Sequence, residues 1–359
     1  MLHTPLAELC RTAGGRMVPF AGWELPVQFE GLMAEHRAVR ERCGMFDISH
    51  MGVLTLTGPG VKDKLQGLVP SDLQRIGPGE AQYTVLLNDA GGIRDDLIVY
   101  DRNDNEVVVV INAACADSDT AWLKAHLEPQ GVTVSDRKDG GVLLALQGPE
   151  AVGRLEQICG ESLAGVPRFG HRDLRINGST VFAARTGYTG EDGFELLLGA
   201  QAGAELWQQL LASGVTPCGL GARDSLRLEA AMHLYGNDMD EQTSPLECSL
   251  GWLVHLEMPI EFIGREALEL QTSEGVKRRL VGLQLQGRTI ARHDYPVLHG
   301  GERVGVVTSG TFSPTLQQPI ALASVPAGLA KVGTELAVEI RGRQEPATVV
   351  KRPFYRRPQ

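Results

Sequence analysis

The chain has 359 residues, of which 43% are hydrophobic and 22% are charged, and its formal net charge is −10. This length is sufficient for two or three domains with sizeable cores, and the composition is that of an ordinary globular protein. No apolar run approaches the roughly 18 residues of a membrane-spanning helix, and the first 16 residues lack the apolar segment of a signal peptide. We therefore expect a cytoplasmic protein that does not bind a membrane.

Several common site types are excluded by spacing. The six cysteines, at positions 10, 43, 115, 159, 218 and 248, are irregularly spaced and form no C-x-x-C pair. This argues against a zinc site or a disulfide framework and favours buried, reduced thiols. The segment Gly219-Leu220-Gly221 begins like a dinucleotide-binding loop, but Asp224 stands where the third glycine is required.

The hydrophobic pattern predicts mixed helices and strands over the first three quarters of the chain. The predicted helices are 30–43, 61–69, 117–127, 151–158, 204–211 and 222–232, and the predicted strands are 53–57, 83–87, 97–100, 106–111, 132–135, 142–146, 179–184 and 194–198. We expect Asp117 or Ser118 to cap the third helix.

After a charged segment at 274–279, short strands and Gly/Pro-rich turns dominate. The predicted strands are 280–285, 303–308, 320–325, 335–340 and 347–351, which is typical of a small all-β barrel or sandwich. We therefore predict a domain boundary that separates residues 1–275 from residues 276–359.

Charge is unevenly distributed between these two parts. Residues 277–359 contain 13 Lys and Arg against 5 Asp and Glu, a balance of +8, which leaves −18 for the rest of the chain. The cations are scattered and lack interleaved aromatic residues, so we do not expect nucleic acid as a partner. An acidic protein or a polyanionic ligand tail fits the basic part better.

The most informative segment is RTGYTGEDGFEL at 185–196, between two predicted strands. Its three glycines permit a tight turn or close approach to a ligand. Three carboxylates within five residues call for solvent, a cationic ligand or a cationic partner, whereas a plain hairpin needs only the glycines. We favour a ligand loop, with the hairpin as the alternative.

This segment resembles the signature of the glycine cleavage system T-protein family, which are tetrahydrofolate-dependent aminomethyltransferases. Other segments resemble the same family in the same order: FAGWE (20–24), GMFDISHMG (44–52), GGIRDDL (91–97), GLGARDS (219–225), LYGNDMD (234–240), TSG (308–310) and SPTL (313–316). The resemblance therefore extends over essentially the whole chain.

The resemblance implies an α+β fold in a three-domain, clover-like arrangement around a folate-binding hole. Two intertwined α+β subdomains, one inserted around residues 53–140, would form the body at 1–275, and an antiparallel β barrel would form residues 276–359. The implied partner is the lipoylated H protein, with transient contact with the P and L proteins. The family needs no metal.

Two carboxylates are the main candidates for chemistry. Asp96 follows a double glycine and precedes a predicted strand, where a solvated turn is the alternative; it resembles the family's critical aspartate, which would stabilise a cationic intermediate. Glu195 resembles the family residue that accepts hydrogen bonds from the pterin, and an exposed glutamate at a strand end is the alternative. Tyr188 could contact the same ligand.

Arg223 is expected to begin a helix, a poor position for a cation because of the helix dipole. It resembles the family's arginine near the folate. Arg292 resembles an arginine near the cleft mouth that could meet the folate tail or the partner, with a solvated barrel arginine as the alternative. The weaker candidates are Met51, Leu54, Tyr83, Asn112, Tyr235 and Trp252. Of these, Met51, Leu54 and Trp252 are predicted to be ordinary core residues on composition alone.

Two other functions are considered. A folate domain of a sarcosine or dimethylglycine oxidase would carry a flavin domain before it, and none precedes the resemblance here. A non-catalytic folate-binding factor for iron–sulfur assembly would carry a cysteine in a Lys-Gly-Cys-Tyr type motif, whereas residues 186–190 contain none.

Three other polar residues are expected to be structural. We expect His50 to be a histidine whose hydrogen bonds are satisfied, and Arg227 and Glu229 to be surface or ion-pair residues.

Overall fold

The computed structural model describes residues 1–358, which divide into two units made of interleaved chain segments. The first unit contains Met1–Leu65, Leu73–Tyr83 and Leu97–Asp224, and the second contains Gln66–Asp72, Thr84–Asp96 and residues 225–358. The predicted boundary between residues 275 and 276, and the subdomain around residues 53–140, stay predictions.

The described residues form eight α-helices and twenty strands. The helices are α1 Ala7–Thr12, α2 Leu32–Glu41, α3 Val61–Gln66, α4 Ala116–Leu127, α5 Ala151–Cys159, α6 Ala200–Ala212, α7 Leu220–Glu229 and α8 Arg265–Glu274. The first ten strands are β1 Leu2–His3, β2 Arg16–Phe20, β3 Trp23–Gln28, β4 Gly44–Asp47, β5 Gly52–Thr57, β6 Ala81–Leu87, β7 Ile93–Asn103, β8 Glu106–Ile111, β9 Thr133–Asp136 and β10 Val142–Gln147. The others are β11 His171–Ile176, β12 Ser179–Ala184, β13 Gly193–Leu198, β14 Thr216–Pro217, β15 Arg278–Leu285, β16 Pro296–His299, β17 Glu302–Ser313, β18 Gln318–Pro326, β19 Glu335–Ile340 and β20 Arg343–Val350.

A six-stranded sheet in the order β11-β12-β13-β10-β4-β14 forms the centre of the first unit. All six residues of β10 are buried, as expected of a central strand with an almost continuous apolar sequence. Leu206, Trp207 and Leu210 of α6 and Leu155 of α5 join the same hydrophobic cluster. This core supports β13, the strand that carries Glu195.

A second sheet has the order β6-β7-β8-β5-β9. Its strand β8 reads EVVVVI, and the β-branched valines favour the extended backbone. Strand β7 is longer than predicted because it begins at Ile93, so Asp95 and Asp96 lie inside a strand and not in a solvated turn.

The C-terminal strands close into a six-stranded antiparallel barrel in the order β15-β18-β17-β16-β19-β20. The α+β class with a C-terminal antiparallel barrel is therefore confirmed. The five predicted strands are present, but β16 was missed because it is short and begins with Pro296. Strand β17 continues past residue 308 to Ser313 and keeps its pairing with β18 across a register shift between Val307 and Ser309, as at a β-bulge.

Two local predictions about helix starts are wrong. Helix α4 begins at Ala116 without a side-chain cap, and the Ser118 hydroxyl donates back to the Cys115 carbonyl instead. Helix α7 begins at Leu220, so Arg223 lies one turn inside it. Within residues 1–358, no helix is both long and apolar enough to cross a membrane.

All six cysteines are free, and five of them are buried, as the sequence predicted. Burial raises the pKa of the Cys43 thiol to about 12, with Glu150 adding to the rise and Arg154 opposing it. Burial likewise raises the pKa of the Cys10, Cys218 and Cys248 thiols, so these three and Cys43 remain protonated near neutral pH and behave as small apolar side chains.

Candidate functional site

The glycine-rich segment forms an ordered loop between β12 and β13. Gly190 adopts a left-handed backbone, with φ of +82°. Gly187 is required for a different reason, because a Cβ atom there would lie 1.9 Å from Oε1 of Gln147. Gln147 is bonded to the loop twice: its Nε2 donates to the Thr186 carbonyl at 3.0 Å, and its Oε1 accepts from the Thr189 hydroxyl at 2.9 Å.

Two of the loop's carboxylates have arginine partners within the same unit. Arg40 donates to the carboxylate of Glu191 at 2.9 Å and to the Thr189 carbonyl at 2.7 Å. Arg185 forms a two-pronged pair with Asp192. The acid density that suggested a cationic ligand is therefore largely neutralised by the protein itself.

Glu195, the third carboxylate, has a different environment. It is the third residue of β13, half-buried, and not an exposed residue at the strand end. Its Oε2 accepts a hydrogen bond from the Thr186 hydroxyl at 2.6 Å. Tyr100 lies behind Thr186, with its phenolic oxygen 3.2 Å from Oγ1.

Arg223 and Tyr188 lie beside this carboxylate. The Arg223 guanidinium stacks over the Tyr188 ring, with Cζ 4.6 Å from the ring centroid. Such cation–π contacts contribute about 0.5–2 kcal/mol, depending on desolvation. Burial lowers the pKa of Arg223, and the Glu195 carboxylate opposes that shift. The Arg223 guanidinium thus lies near both the Tyr188 ring and the Glu195 carboxylate.

The segment before β5 holds Met51 and His50. Nζ of Lys138 donates to the carbonyl oxygens of Ser49 at 2.5 Å and Met51 at 2.8 Å, and it lies 5.2 Å from the centroid of the Trp23 ring. The turn is therefore held by the ammonium group of one half-buried lysine. Met51 is half-buried and Leu54, within β5, is buried.

His50 differs from its prediction. Only 4% of the residue is exposed, yet among residues 1–358 its Nδ1 has no hydrogen-bond partner. The expectation of a satisfied histidine is therefore wrong. Burial, together with Arg223 and Lys138, lowers the pKa of His50 to about 3, so the imidazole is neutral near neutral pH.

The remaining candidates of the first unit lie on its second sheet. Tyr83 is half-buried inside β6, and Asn112 is half-buried directly after the end of β8. Asn112 follows β8 as the predicted strand 106–111 implied, whereas β6 begins two residues earlier than predicted, so Tyr83 is not its first residue.

The second unit contains Asp96 and the residues that anchor its segment. Asp95 is fully buried while Asp96 is half-buried, consistent with the opposite directions of successive side chains in a strand. Gly92 permits the close approach of the Glu241 carbonyl, which would lie 1.8 Å from a Cβ atom. The backbone N–H of Ile93 donates to the carbonyls of Asp240 and Thr243 at 3.0 and 3.1 Å.

Tyr235, Trp252 and Arg292 also belong to the second unit. The Tyr235 hydroxyl donates to the Ile93 carbonyl at 3.1 Å, which brings Tyr235 to the strand that carries Asp96. Trp252 is 64% exposed in the 3-10 helix Gly251–Leu253, so the prediction that it is a core residue is wrong. Arg292 is exposed in the connection before β16.

The Arg227 and Glu229 side chains are buried and not at the surface. Arg227 pairs with Asp238 at 2.7 Å and donates to the Ser309 hydroxyl at 2.9 Å. Glu229 accepts from the hydroxyl groups of Ser313 and Thr315. The segments around 238 and 308–315 therefore have a structural role in the second unit.

Sequence reasoning did not single out Tyr100, Thr186, Gln147 or Arg40. A weak signal exists for Gln147, a polar residue that ends an otherwise apolar strand. Thr186 lies within the glycine-rich segment 185–196, but nothing in the local pattern distinguishes its hydroxyl from that of Thr189. Tyr100 and Arg40 meet the loop only through tertiary structure.

Comparisons with known proteins agree over the whole chain. Residues 6–258 match the family described as the GCVT N-terminal domain, and residues 278–356 match the glycine cleavage T-protein C-terminal barrel domain. The chain is 86% identical over 357 residues to an aminomethyltransferase of Synechococcus sp. (strain RCC307), with 99% of each chain covered. It is 70% identical over 365 alignment positions to the aminomethyltransferase of Synechococcus sp. (strain CC9902), with 100% of each covered.

A solved structure shows the same similarity. The glycine cleavage system aminomethyltransferase T from Bartonella henselae matches with a TM-score of 0.94 and 36% identity, covering 99% of this chain and 98% of that one. The family descriptions, the full-length identities and the shared fold agree with the signature segments. The chain belongs to the glycine cleavage T-protein family.

Proposed function

We propose that Asp96 carries the reaction of this aminomethyltransferase and that Glu195, Tyr188 and Arg223 hold its co-substrate, tetrahydrofolate. The reaction moves a one-carbon unit from the aminomethyl-lipoyl arm of the H protein to tetrahydrofolate. The products are 5,10-methylenetetrahydrofolate, ammonia and dihydrolipoyl H protein.

The reaction balances without an oxidant. The methylene carbon loses its bonds to sulfur and to the amino nitrogen and gains bonds to N5 and N10 of the folate. The two protons displaced from N5 and N10 are those required by the departing ammonia and thiol. Because carbon passes through a cationic, iminium-like state, a fixed carboxylate beside it lowers the barrier.

The grouping of Glu195, Arg223 and Tyr188 is the observation that carries the folate-binding proposal. A pterin presents an edge of N–H donors, and each carboxylate oxygen can accept two hydrogen bonds, so the Thr186 bond leaves Glu195 with acceptor capacity. Arg223 places a positive charge near this carboxylate, since Glu195 opposes the lowering of the pKa of Arg223.

The backbone around Asp96 supports its proposed catalytic role. A catalytic group must be held within a fraction of an ångström of its productive position, and a strand holds a side chain more precisely than a loop does. The bonds of Ile93 to Asp240, Thr243 and Tyr235 fix the start of this strand. We propose that Asp96 accepts a hydrogen bond from a folate amine and stabilises the cationic intermediate.

Six further residues are proposed to contact the folate, through apolar walls or single hydrogen bonds. They are Met51, Leu54, Tyr83, Asn112, Tyr235 and Trp252. Arg292 is proposed to bind the folate glutamate tail or an acidic surface of the H protein, because its side chain is exposed in a basic part of the chain. Transient contacts with the P and L proteins and a cytoplasmic location also stay predictions.

The test measures ammonia release from aminomethylated H protein, with and without tetrahydrofolate. We expect folate to stimulate release by the wild type, and Asp96→Asn to lower kcat by about 10²–10³-fold because a stabilising charge is lost. Asp104→Asn, which changes an exposed aspartate in a turn, should leave the rate unchanged and serves as the control.

Each outcome separates the competing functions. Folate-stimulated release that collapses in Asp96→Asn supports the reaction and the assignment. Folate binding without turnover by the wild type would favour a non-catalytic folate-binding protein. Unchanged turnover in Asp96→Asn would remove that residue from the proposal.

A further inference from the structure

Two hydroxyl groups of the first unit, those of Tyr100 and Thr186, form a hydrogen-bonded chain that ends on the Glu195 carboxylate. The Thr186 hydroxyl lies 2.6 Å from Oε2 of Glu195, and the Tyr100 hydroxyl lies 3.2 Å from Oγ1 of Thr186. An ionised carboxylate can only accept, so the single hydroxyl proton of Thr186 is donated to Glu195. The Tyr100 hydroxyl must then donate to Thr186, and the chain has one direction.

The first member of the chain is fixed by burial. Tyr100 is 1% exposed, and its ring meets those of Phe182 and His171 edge to face, at centroid distances of 5.3 and 5.6 Å. Burial raises the pKa of Tyr100, and the nearby Glu195 raises it further, so the phenol keeps the proton that it donates.

The middle member is fixed through its backbone. The Thr186 carbonyl accepts from Nε2 of Gln147 at 3.0 Å, and Oε1 of Gln147 is held by the Thr189 hydroxyl at 2.9 Å. Thr186 is also β-branched, which restricts rotation about χ1. Its hydroxyl is therefore presented to Glu195 from a fixed position.

We propose that Tyr100 and Thr186 are positioning residues that orient the Glu195 carboxylate before tetrahydrofolate binds. This inference rests on the proposed role of Glu195. A free glutamate side chain loses rotamer freedom when it binds a ligand, and a carboxylate that is already fixed avoids most of that loss. The chain therefore acts on folate affinity and has little effect on the chemical step.

The test uses variants that remove one hydroxyl and preserve shape. Thr186→Val removes the donor, Thr186→Ser keeps it, and Tyr100→Phe removes only the phenolic oxygen. We expect Thr186→Val to raise the Kd for tetrahydrofolate by about 10–100-fold, the range for a hydrogen bond to a charged group. Thr186→Ser should stay within about 3-fold and Tyr100→Phe should weaken binding by about 3–10-fold, because its bond is neutral. In all three, kcat at saturating folate should stay within about 3-fold of the wild type if affinity alone is changed.

A double-mutant cycle separates positioning from general structural damage. If Thr186 acts through Glu195, Thr186→Val should raise the Kd by only about 3-fold or less when Glu195 is already replaced by glutamine. If Tyr100 acts through Thr186, Tyr100→Phe should have no effect on the Kd when Thr186 is already replaced by valine. Tyr295→Phe, which removes a half-buried phenol from the barrel, is the matched control and should leave the Kd unchanged.

The outcomes also distinguish this inference from the proposed function. If Glu195→Gln weakens folate binding but Thr186→Val does not, the positioning role is wrong while the folate site stands. Equal Thr186→Val effects in both backgrounds would likewise overturn it. If Glu195→Gln leaves the Kd unchanged, both the folate assignment of Glu195 and the positioning role fail. Should Thr186→Val not fold, Tyr100→Phe in the Glu195→Gln background decides the question by the same criterion.

Discussion

The guanidinium of Arg185 binds the carboxylate of Asp192 through two parallel hydrogen bonds, from Nε to Oδ1 at 2.9 Å and from Nη2 to Oδ2 at 2.7 Å. A third bond joins Nη1 to the Val166 carbonyl at 2.7 Å. The hydrogen bond to Asp192 raises the pKa of Arg185 above its ordinary value. The pair closes the two ends of the glycine-rich loop against each other.

Replacing Arg185 by lysine should loosen this loop although the charge is kept. An ammonium group cannot reproduce the two-pronged geometry, so we expect a loss of about 1–2 kcal/mol in the free energy of unfolding. Cleavage of the loop by a protease should become faster, and the Kd for tetrahydrofolate should rise. The control is Arg154→Lys, because Arg154 of α5 binds Glu150, the residue before that helix, in a more exposed pair that should contribute little. Equal effects of the two substitutions would contradict a special role for the Arg185 pair.

The same loop shows what the sequence could and could not predict. The pattern of 185–196 indicated a turn between two strands, and the structure confirms both strands. The pattern could not identify the arginines that neutralise the loop, because Arg40 is 151 residues from Glu191 in the chain. A local cluster of acids indicates that counter-charges exist, but only tertiary structure determines whether a ligand or the protein supplies them.

Among the strands and the site candidates too, the features encoded by a local pattern were predicted, and those that depend on distant residues were not. The buried run of β10 and the alternating barrel strands were predicted because their patterns are local. The start of β7 was missed because Ile93 is held by the carbonyls of Asp240 and Thr243, far away in sequence. The family resemblance pointed to Glu195, Tyr188 and Arg223 as candidates, whereas the hydrogen bonds that join Tyr100, Thr186 and Glu195 depend on contacts that no local pattern encodes.

Replacing Gly187 by alanine should disrupt the loop through a steric clash. The new Cβ atom would lie 1.9 Å from Oε1 of Gln147, so the Gln147 side chain would have to leave its bonds to Thr186 and Thr189. We expect a loss of about 1–3 kcal/mol in the free energy of unfolding, because overpacking is destabilising and hydrogen bonds are lost. Urea unfolding and the folate Kd measure the effect.

The matched control is Gly153→Ala in helix α5. No atom lies within 4 Å of a Cβ there, and alanine favours a helix, so this variant should be more stable by about 0.5–1 kcal/mol. The combination of Gly187→Ala with Gln147→Ala should be less destabilised than the sum of the two single variants, since the clash is removed. Strict additivity would show that Gln147 is not the group that clashes.

His50 should make stability depend on pH. Its pKa in the folded protein, about 3, lies below the ordinary value of 6.5. Between these values the unfolded chain binds a proton that the folded chain does not, so stability from this group is fully present above pH 6.5 and falls as the pH decreases. From pH 7 to pH 5, we expect a loss of about 2 kcal/mol from His50 alone.

The comparison of wild type with His50→Gln isolates this contribution. Burial also lowers the pKa of His171 and His233, and those groups remain in both proteins, so their contributions cancel in the difference. The free energy of unfolding of His50→Gln should fall less steeply between pH 7 and pH 5 than that of the wild type. His299→Gln, a change at an exposed histidine, should keep the wild-type slope. Parallel slopes for wild type and His50→Gln would contradict a buried, neutral His50.

Arg227 and Asp238 form a buried ion pair, and removing only the arginine should strongly destabilise the protein. Burial tends to raise the pKa of Asp238, but Arg227 and the Thr308 hydroxyl outweigh it and hold that pKa below its ordinary value. Arg227→Met leaves the carboxylate buried without its cation, and we expect a loss of about 3–5 kcal/mol in the free energy of unfolding. Replacing both residues, as Arg227→Met with Asp238→Leu, should cost less than Arg227→Met alone, because no unpaired charge is then buried. Urea midpoints of the three proteins measure this order. A double variant that is less stable than Arg227→Met would show that the bonds to Ser309 and Thr308, and not the charge pairing, provide most of the stabilisation.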